Sequence, residues 1–115
     1  MRKMIDYCYK KLCIGTRIIT IIEISEYKYK LLESFLNSEM ITFGELIVES
    51  FESVISQRTG HEEFHGNAFG IIITFQTTRI TNDLLDIGMP NYPDAEYNTQ
   101  EIYDIVLDYR VNCLL

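Results

Sequence analysis

The chain has 115 residues, of which 47% are hydrophobic and 23% charged, and its formal net charge is −7 at pH 7. This length and composition predict one globular domain over residues 1–115 and exclude a disordered chain. Phosphate groups repel a strongly anionic protein, so the charge argues against nucleic acid and anionic membrane surfaces as ligands.

The charge is distributed unevenly along the chain. Residues 1–60 carry eight acidic and eight basic side chains, whereas residues 61–115 carry nine acidic ones against only Arg79 and Arg110. A neutral half followed by a strongly anionic half predicts an electrostatic surface for a cationic partner. Solubility alone is the alternative explanation for the excess of acid.

The cysteines and the N-terminal residues bear on the cellular compartment. Cys8, Cys13 and Cys113 are odd in number and form no C-x-x-C pair, so neither a disulfide framework nor a zinc site is expected. Three reduced thiols are typical of a cytoplasmic protein. Charged residues, including Asp6, interrupt the early apolar stretches, so we expect neither a signal peptide nor a membrane span.

Helical spacing of apolar residues dominates the first half. Residues 2–13 predict a short helix that ends before Gly15, with Met4, Cys8 and Leu12 on one side. The run at 16–24 is rich in β-branched residues and favours a strand, although its isoleucines also occur at helical spacing. Another helix is predicted over 26–37.

A further helix is predicted over residues 43–57. Thr42 and Glu45 form a capping-box pattern before an apolar stripe, and Gly60 is a natural stop. The stripe consists of Phe43, Leu46, Ile47, Phe51, Val54 and Ile55.

The second half predicts strands and a last helix. Residues 69–75 and 78–84 are separated by two residues, which favours an antiparallel hairpin, and residues 85–97 predict an irregular acidic loop. Asn98 and Glu101 form a cap pattern before an apolar stripe of Ile102, Ile105, Val106 and Tyr109. We therefore predict an α+β fold in which N-terminal helices pack on a small antiparallel sheet closed by a C-terminal helix.

One segment matches a catalytic motif. His61-Glu62-Glu63-Phe64-His65 fits H-E-x-x-H, in which a helix places both histidines on one face to bind zinc. Gly60 and Gly66 bracket the segment and leave room for little more than one helical turn. A small zinc-dependent hydrolase using His61, Glu62 and His65 is therefore only an alternative function. The main prediction is that the protein binds no metal or other cofactor.

Acidic and tyrosine residues are mixed in the last third of the chain. Buried tyrosine rings surrounded by carboxylates are typical of protein-binding surfaces, although some of these rings could simply close the core. The candidate residues for binding a partner protein are Asp83, Asp86, Tyr92, Asp94, Glu96, Tyr97, Glu101, Tyr103, Asp104 and Asp108.

Residues 62–111 also resemble a known family. The segments are Phe64-His65-Gly66-Asn67-Ala68-Phe69-Gly70-Ile71, Thr77-Thr78-Arg79-Ile80-Thr81-Asn82, and Asn98-Thr99-Gln100-Glu101-Ile102 leading to Asp108-Tyr109. They are similar to immunity proteins of bacterial contact-dependent growth inhibition, specifically those that neutralise ribonuclease toxins. In that family a Gly-Asn opens a strand, a Thr-rich strand pairs with it and an acidic helix closes the domain.

The resemblance implies a function that agrees with the charge. Nuclease toxins tend to be basic because they bind phosphate, so an acidic protein could associate with one quickly and exclude its substrate. The leading hypothesis is a cytoplasmic, non-enzymatic immunity protein whose partner is a cognate toxin nuclease. An acidic adaptor for an unrelated basic protein is the other alternative.

Overall fold

The computed structural model describes residues 5–83 and 95–114, and it begins with a β-hairpin. Strand β1 (Tyr7–Ile14) pairs antiparallel with β2 (Arg17–Ile24). Gly15, in the turn between them, has a φ of 63°, a left-handed conformation that glycine adopts without steric cost.

One end of this hairpin packs on the body of the protein and the other extends away from it. Ile22 and Ile24 of β2 are buried, and their cross-strand partners Tyr9 and Tyr7 are half-buried. All of residues 10–18 are exposed.

A single long helix, α1 (Lys30–Ile55), follows the hairpin after a 3-10 turn at Tyr27–Tyr29. Phe43 departs from helical geometry, with φ −122° and ψ 20°, and kinks the helix there. The core side of α1 carries Leu31, Leu32, Phe35, Leu36, Met40, Ile47, Val48, Phe51 and Val54.

The helices predicted over 26–37 and 43–57 are thus parts of one helix. Thr42, the predicted cap, lies inside α1 one residue before the kink, so the prediction of a helix start there is wrong. The helix ends at Ile55, earlier than Gly60, and Gln57 takes the left-handed conformation after it with a φ of 63°.

Four antiparallel strands form the second sheet, in the order β3-β4-β5-β6. They are β3 (His61–His65), β4 (Phe69–Thr74), β5 (Thr77–Asn82) and β6 (Ala95–Asn98). The predicted hairpin of β4 and β5 is confirmed.

Side-chain alternation gives this sheet a buried face and an exposed face. Helix α1 contacts β3, β4 and β5, and the buried face supplies Phe69, Ile71, Ile73, Ile80 and Tyr97 to the core. The opposite face carries a cross-strand row of Glu63, Ile72, Arg79 and Glu96. Glu63, Arg79 and Glu96 in that row are exposed.

Helix α2 (Thr99–Tyr109) follows β6 directly. The Asn98 Oδ1 atom accepts a hydrogen bond of 3.0 Å from the Glu101 backbone N–H, which confirms the predicted cap. A π-helical turn at Arg110–Leu114 continues α2. The buried side of α2 is the predicted one: Ile102, Ile105, Val106 and Tyr109.

The predicted arrangement of N-terminal helices packed on a sheet is wrong, because two strands come first in the described chain. Tyr7 and Tyr9 turn toward the body while Cys8 and Lys10 are exposed, a period of two that overrides the helical spacing at 2–13. The predicted loop at 85–97 is also wrong in part, because its last residues form β6. The rest of that loop lies outside the described residues.

Candidate binding surface

The H-E-x-x-H segment is a strand, β3, and not a helix. Four residues along a strand span about 13 Å, so His61 and His65 are too far apart to bind one ion as they would on a helix. Within residues 5–83 and 95–114, no group of three or more potential ligands is placed to hold a metal. His61 and His65 therefore lack the helical arrangement that the zinc-hydrolase alternative requires.

His65 instead joins two carboxylates on the exposed sheet face. Its Nε2 lies 2.7 Å from Glu63 Oε2, and its Nδ1 lies 2.9 Å from Asp83 Oδ2. The hydrogen bonds to Asp83 and then to Glu63 raise the pKa of His65 above its usual value. Gly70 leaves room for the ring, because a Cβ at that position would overlap it. Asp83, a predicted site residue, is thus part of an ionic cluster.

A surface cleft of about 370 Å³ lies beside β6, and we call it the β6 cleft. It lies between the 3-10 turn before α1 and the start of α2. Three predicted site residues, Glu96, Tyr97 and Glu101, meet there. The whole lining is Lys28, Tyr29, Ala95, Glu96, Tyr97, Asn98 and Glu101.

The alternation of β6 positions the cleft side chains. Glu96 is exposed, whereas the neighbouring Tyr97 is buried and its ring centroid lies 5.7 Å from that of Tyr29. Burial raises the pKa of Tyr97 to about 12, so its hydroxyl stays protonated at neutral pH. Lys28 lies with its Nζ atom 5.1 Å from the centre of the Tyr29 ring and brings a cation to the same cleft.

The other predicted residues of α2 have separate surroundings. Asp104 is exposed and accepts a 2.9 Å hydrogen bond from Gln100. The Tyr103 ring stacks on Phe51 with centroids 5.5 Å apart. Burial, followed by the charge of nearby Glu52, raises the pKa of Tyr103. Tyr103 therefore packs against the chain's own helix α1.

Asp108 ties α2 to the hairpin. Its Oδ2 atom accepts hydrogen bonds of 3.0 Å from the Tyr7 hydroxyl and 2.7 Å from the Tyr9 hydroxyl. Burial and the bond to Asp108 raise the pKa of Tyr7 to about 12 and that of Tyr9 still further. The carboxylate thus joins the first and last elements of the described chain.

The predicted set therefore divides into several groups. Glu96, Tyr97 and Glu101 share the β6 cleft. Tyr103, Asp104 and Asp108 lie further along α2, and Asp83 pairs with His65. The remaining three, Asp86, Tyr92 and Asp94, lie outside the described residues. Lys28 and Tyr29 were not predicted, because only the tertiary fold brings them beside β6.

These observations define a protein of mixed helices and strands with a charged surface cleft. It is similar to a protein of Bacillus cereus named "Immunity protein", with 31% identity over 77 residues. The match covers 67% of this chain and 64% of the relative, so it spans slightly less than two thirds of that protein's length.

The other comparisons found no match. No family model matches the chain, and no solved structure does so either. Among the residues that the structure describes, no helix combines the length and apolar character needed to cross a bilayer.

Proposed function

We propose that this protein is an immunity protein that binds a toxin and neutralises it without catalysing a reaction. The observation that carries the proposal is its 31% identity, over 67% of this chain, to a protein named "Immunity protein". The net charge of −7 adds a physical reason to choose a basic partner. We propose a nuclease toxin of contact-dependent growth inhibition, specifically a ribonuclease, because such an enzyme needs cations to bind phosphate.

The proposed contact surface is centred on the β6 cleft. Glu96 and Glu101 supply its carboxylates, and Asp104 extends the acidic surface along α2. An anionic surface of this kind accelerates encounter with a basic protein and excludes its nucleic-acid substrate. Occlusion of this kind needs no cofactor, and it takes place in the cytoplasm, where the toxin would meet RNA.

Co-expression tests the function itself. The toxin to be tested is the C-terminal domain of the protein encoded by the gene directly upstream. It is produced from an inducible promoter in a sensitive host. We expect cells that also express this protein to grow and cells without it to stop growing. Death of both cultures would contradict the immunity role for that pair. Binding without protection would favour the acidic-adaptor alternative.

A matched pair of double variants tests the surface. Glu96→Gln with Glu101→Gln removes two charges at the cleft, whereas Glu45→Gln with Glu49→Gln removes two exposed charges on α1. Glu45 lies 15 residues beyond the start of α1, about 22 Å along the helix, so the control pair is distant from the cleft.

We expect the cleft variant to associate with the toxin at least about tenfold more slowly, and the α1 variant to behave as the native protein. Equal rates for the two variants, with both still folded by circular dichroism, would exclude the cleft as the contact surface.

A further inference from the structure

Among the residues that the structure describes, the outer edge of β1 pairs with no strand. Ile22 and Ile24 direct their backbone groups away from β1, because Ile22 exchanges hydrogen bonds with Asn37 and Ile24 bonds to Glu33 and Lys30. Ile22 and Ile24 are therefore in non-hydrogen-bonded pairs with β1. In an antiparallel pair of this type, the N–H and C=O groups of both residues point away from the partner strand.

The cross-strand partners of these residues on β1 also direct their backbone groups outward. Tyr7 pairs with Ile24 and Tyr9 with Ile22, so alternation turns the N–H and C=O groups of Tyr7, Tyr9, Lys11 and Cys13 to the open side. Within the described residues, none of these groups is hydrogen-bonded to another backbone group.

The distal hairpin also exposes apolar side chains. Leu12 is 40%, Ile14 60% and Ile18 66% exposed, whereas the isoleucines at the base of β2 are buried. Lys11 and Arg17, in the same region, make no ion pair with any other described residue. An open edge with exposed isoleucines is a template for pairing with another strand.

The net charge of the hairpin strands indicates which partner pairs with the β1 edge. Strands β1 and β2 together carry a net charge of +2, from Lys10, Lys11 and Arg17 against Glu23, while the whole chain carries −7. Asp108 lies at the base of the same hairpin, so a second copy brings a carboxylate to Lys11 of this cationic edge, whereas a basic toxin brings further cations.

We propose that the β1 edges of two copies pair antiparallel across a two-fold axis and form a continuous four-stranded sheet, β2-β1-β1-β2. A register centred on Lys10 uses all four outward-facing residues, pairing Tyr7 with Cys13 and Tyr9 with Lys11 of the second copy. It also sets Cys8 against Leu12 of the second copy, which covers an exposed apolar side chain.

This register brings opposite charges together as well as matching the backbone hydrogen-bonding groups of the two edges. The tip of one hairpin reaches the base of the other, so Lys11 comes beside Tyr9 and its partner Asp108 in the second copy. Lys10 meets Lys10 at the axis, but each is already neutralised by Glu23 at 2.7 Å. The dimer is independent of the toxin proposal, because it uses a different surface.

Sedimentation equilibrium on the purified full chain tests the dimer. Lys11→Pro removes an N–H that faces the open edge, and the matched control Thr20→Pro removes the outward N–H of its cross-strand partner on the other edge. We expect the native protein and Thr20→Pro to form dimers, and Lys11→Pro to dissociate at least tenfold more readily with an unchanged circular dichroism spectrum. A native protein that is monomeric at about 100 μM would overturn the proposal, since a Kd weaker than that is only about −5.5 kcal/mol.

Crosslinking tests the register. In a variant with all three native cysteines changed to serine, Lys10→Cys lies on the axis at a non-hydrogen-bonded position, where facing Cα atoms are about 4.5 Å apart. We expect Lys10→Cys to form a disulfide-linked dimer under mild oxidation, and the exposed control Lys28→Cys to remain monomeric under denaturing conditions. Equal crosslinking of the two variants would overturn the register. Dimers that survive Lys11→Pro would exclude the β1 edge.

Discussion

Glu39 is a buried carboxylate that holds the turn between β3 and β4. It is 1% exposed, and its Oε2 atom lies 3.4 Å from the backbone nitrogens of Ala68 and Phe69. The Gly66 N–H closes the same turn on the Phe69 carbonyl at 2.9 Å. A Cβ at Gly66 would overlap the Glu39 carboxylate. The glycine of the Gly-Asn pair is therefore needed for the close approach of a helix side chain.

Gly66→Ala should therefore destabilise the fold. Moving a buried carboxylate away from its turn is expected to cost about 1–3 kcal/mol, measurable as a lower denaturation midpoint in urea. Gly60→Ala is the matched control, because a Cβ at Gly60 meets no atom within 4 Å. Equal stability of the two variants would contradict this role for Gly66.

His65 makes a pH-dependent contribution to stability. Its bonds to Asp83 and Glu63 raise the folded-state pKa above the unfolded value of 6.5, so its protonated form is stabilised by folding. The contribution is complete below about pH 6.5 and disappears as pH rises through the folded pKa. Because the side chain is 47% exposed, we expect less than about 1 kcal/mol.

Urea denaturation between pH 5.5 and 8.5 measures this contribution. The stability lost in His65→Gln should be larger at pH 5.5 than at pH 8.5. His61→Gln, which removes the other histidine of β3 and leaves both bonds of His65 intact, is the matched control for the loss of a histidine. A loss of unfolding free energy in His65→Gln that increased with pH would contradict this contribution of His65.

At the scale of elements, the N-cap of α2 joins the helix to the β6 cleft. Asn98 ends β6, lines the cleft and accepts the N–H of Glu101 at 3.0 Å. Asn98→Ala should destabilise the protein by about 1 kcal/mol, and Asn98→Asp, which keeps the accepting oxygen, should retain most of that stability. Thermal unfolding compares the two variants. A loss as large in the aspartate variant would show that the accepting oxygen is not the source of the effect.

Local patterns predicted the elements that local contacts stabilise. The β4–β5 hairpin and the cap at Asn98 depend on residues within a few positions of one another, and both were predicted. Strand β1 was missed, because it depends on pairing with β2 and on burial of Tyr7 and Tyr9, whereas helical spacing was the nearer signal. The H-E-x-x-H segment likewise lacks the helix that its motif requires, because it forms strand β3 by pairing with β4.

The candidate site was predictable only in part. Glu96, Tyr97 and Glu101 are neighbours in sequence and meet in one cleft, and all three were among the ten residues that composition indicated. Lys28 and Tyr29 are nearly 70 positions away and reach the cleft through the tertiary fold, which no local pattern encodes. Asp108, a predicted toxin contact, also accepts hydrogen bonds from Tyr7 and Tyr9, about 100 positions away, which no local pattern indicates.

At the scale of the whole molecule, the hairpin strands and the rest of the chain carry opposite net charges. The hairpin strands carry +2 in a chain whose total is −7, so the remainder carries −9. The two proposed partners use different surfaces, so we expect a second copy at the hairpin edge and a basic toxin at the β6 cleft to bind without competition. Salt should weaken both contacts, because exposed charges are screened over about 10 Å at 0.1 M ionic strength.

Salt dependence gives the last prediction, for association with the toxin in stopped-flow fluorescence. The association rate of the native protein should fall about tenfold or more between roughly 0.05 and 0.5 M salt, because steering by net charge is screened while the buried contacts are not. The Glu96→Gln, Glu101→Gln variant should show a shallower dependence, since it loses charges nearest the contact. The Glu45→Gln, Glu49→Gln control keeps the native slope if steering is local to the cleft. Equal slopes in both variants would instead assign steering to net charge alone, and a rate independent of salt would contradict electrostatic steering altogether.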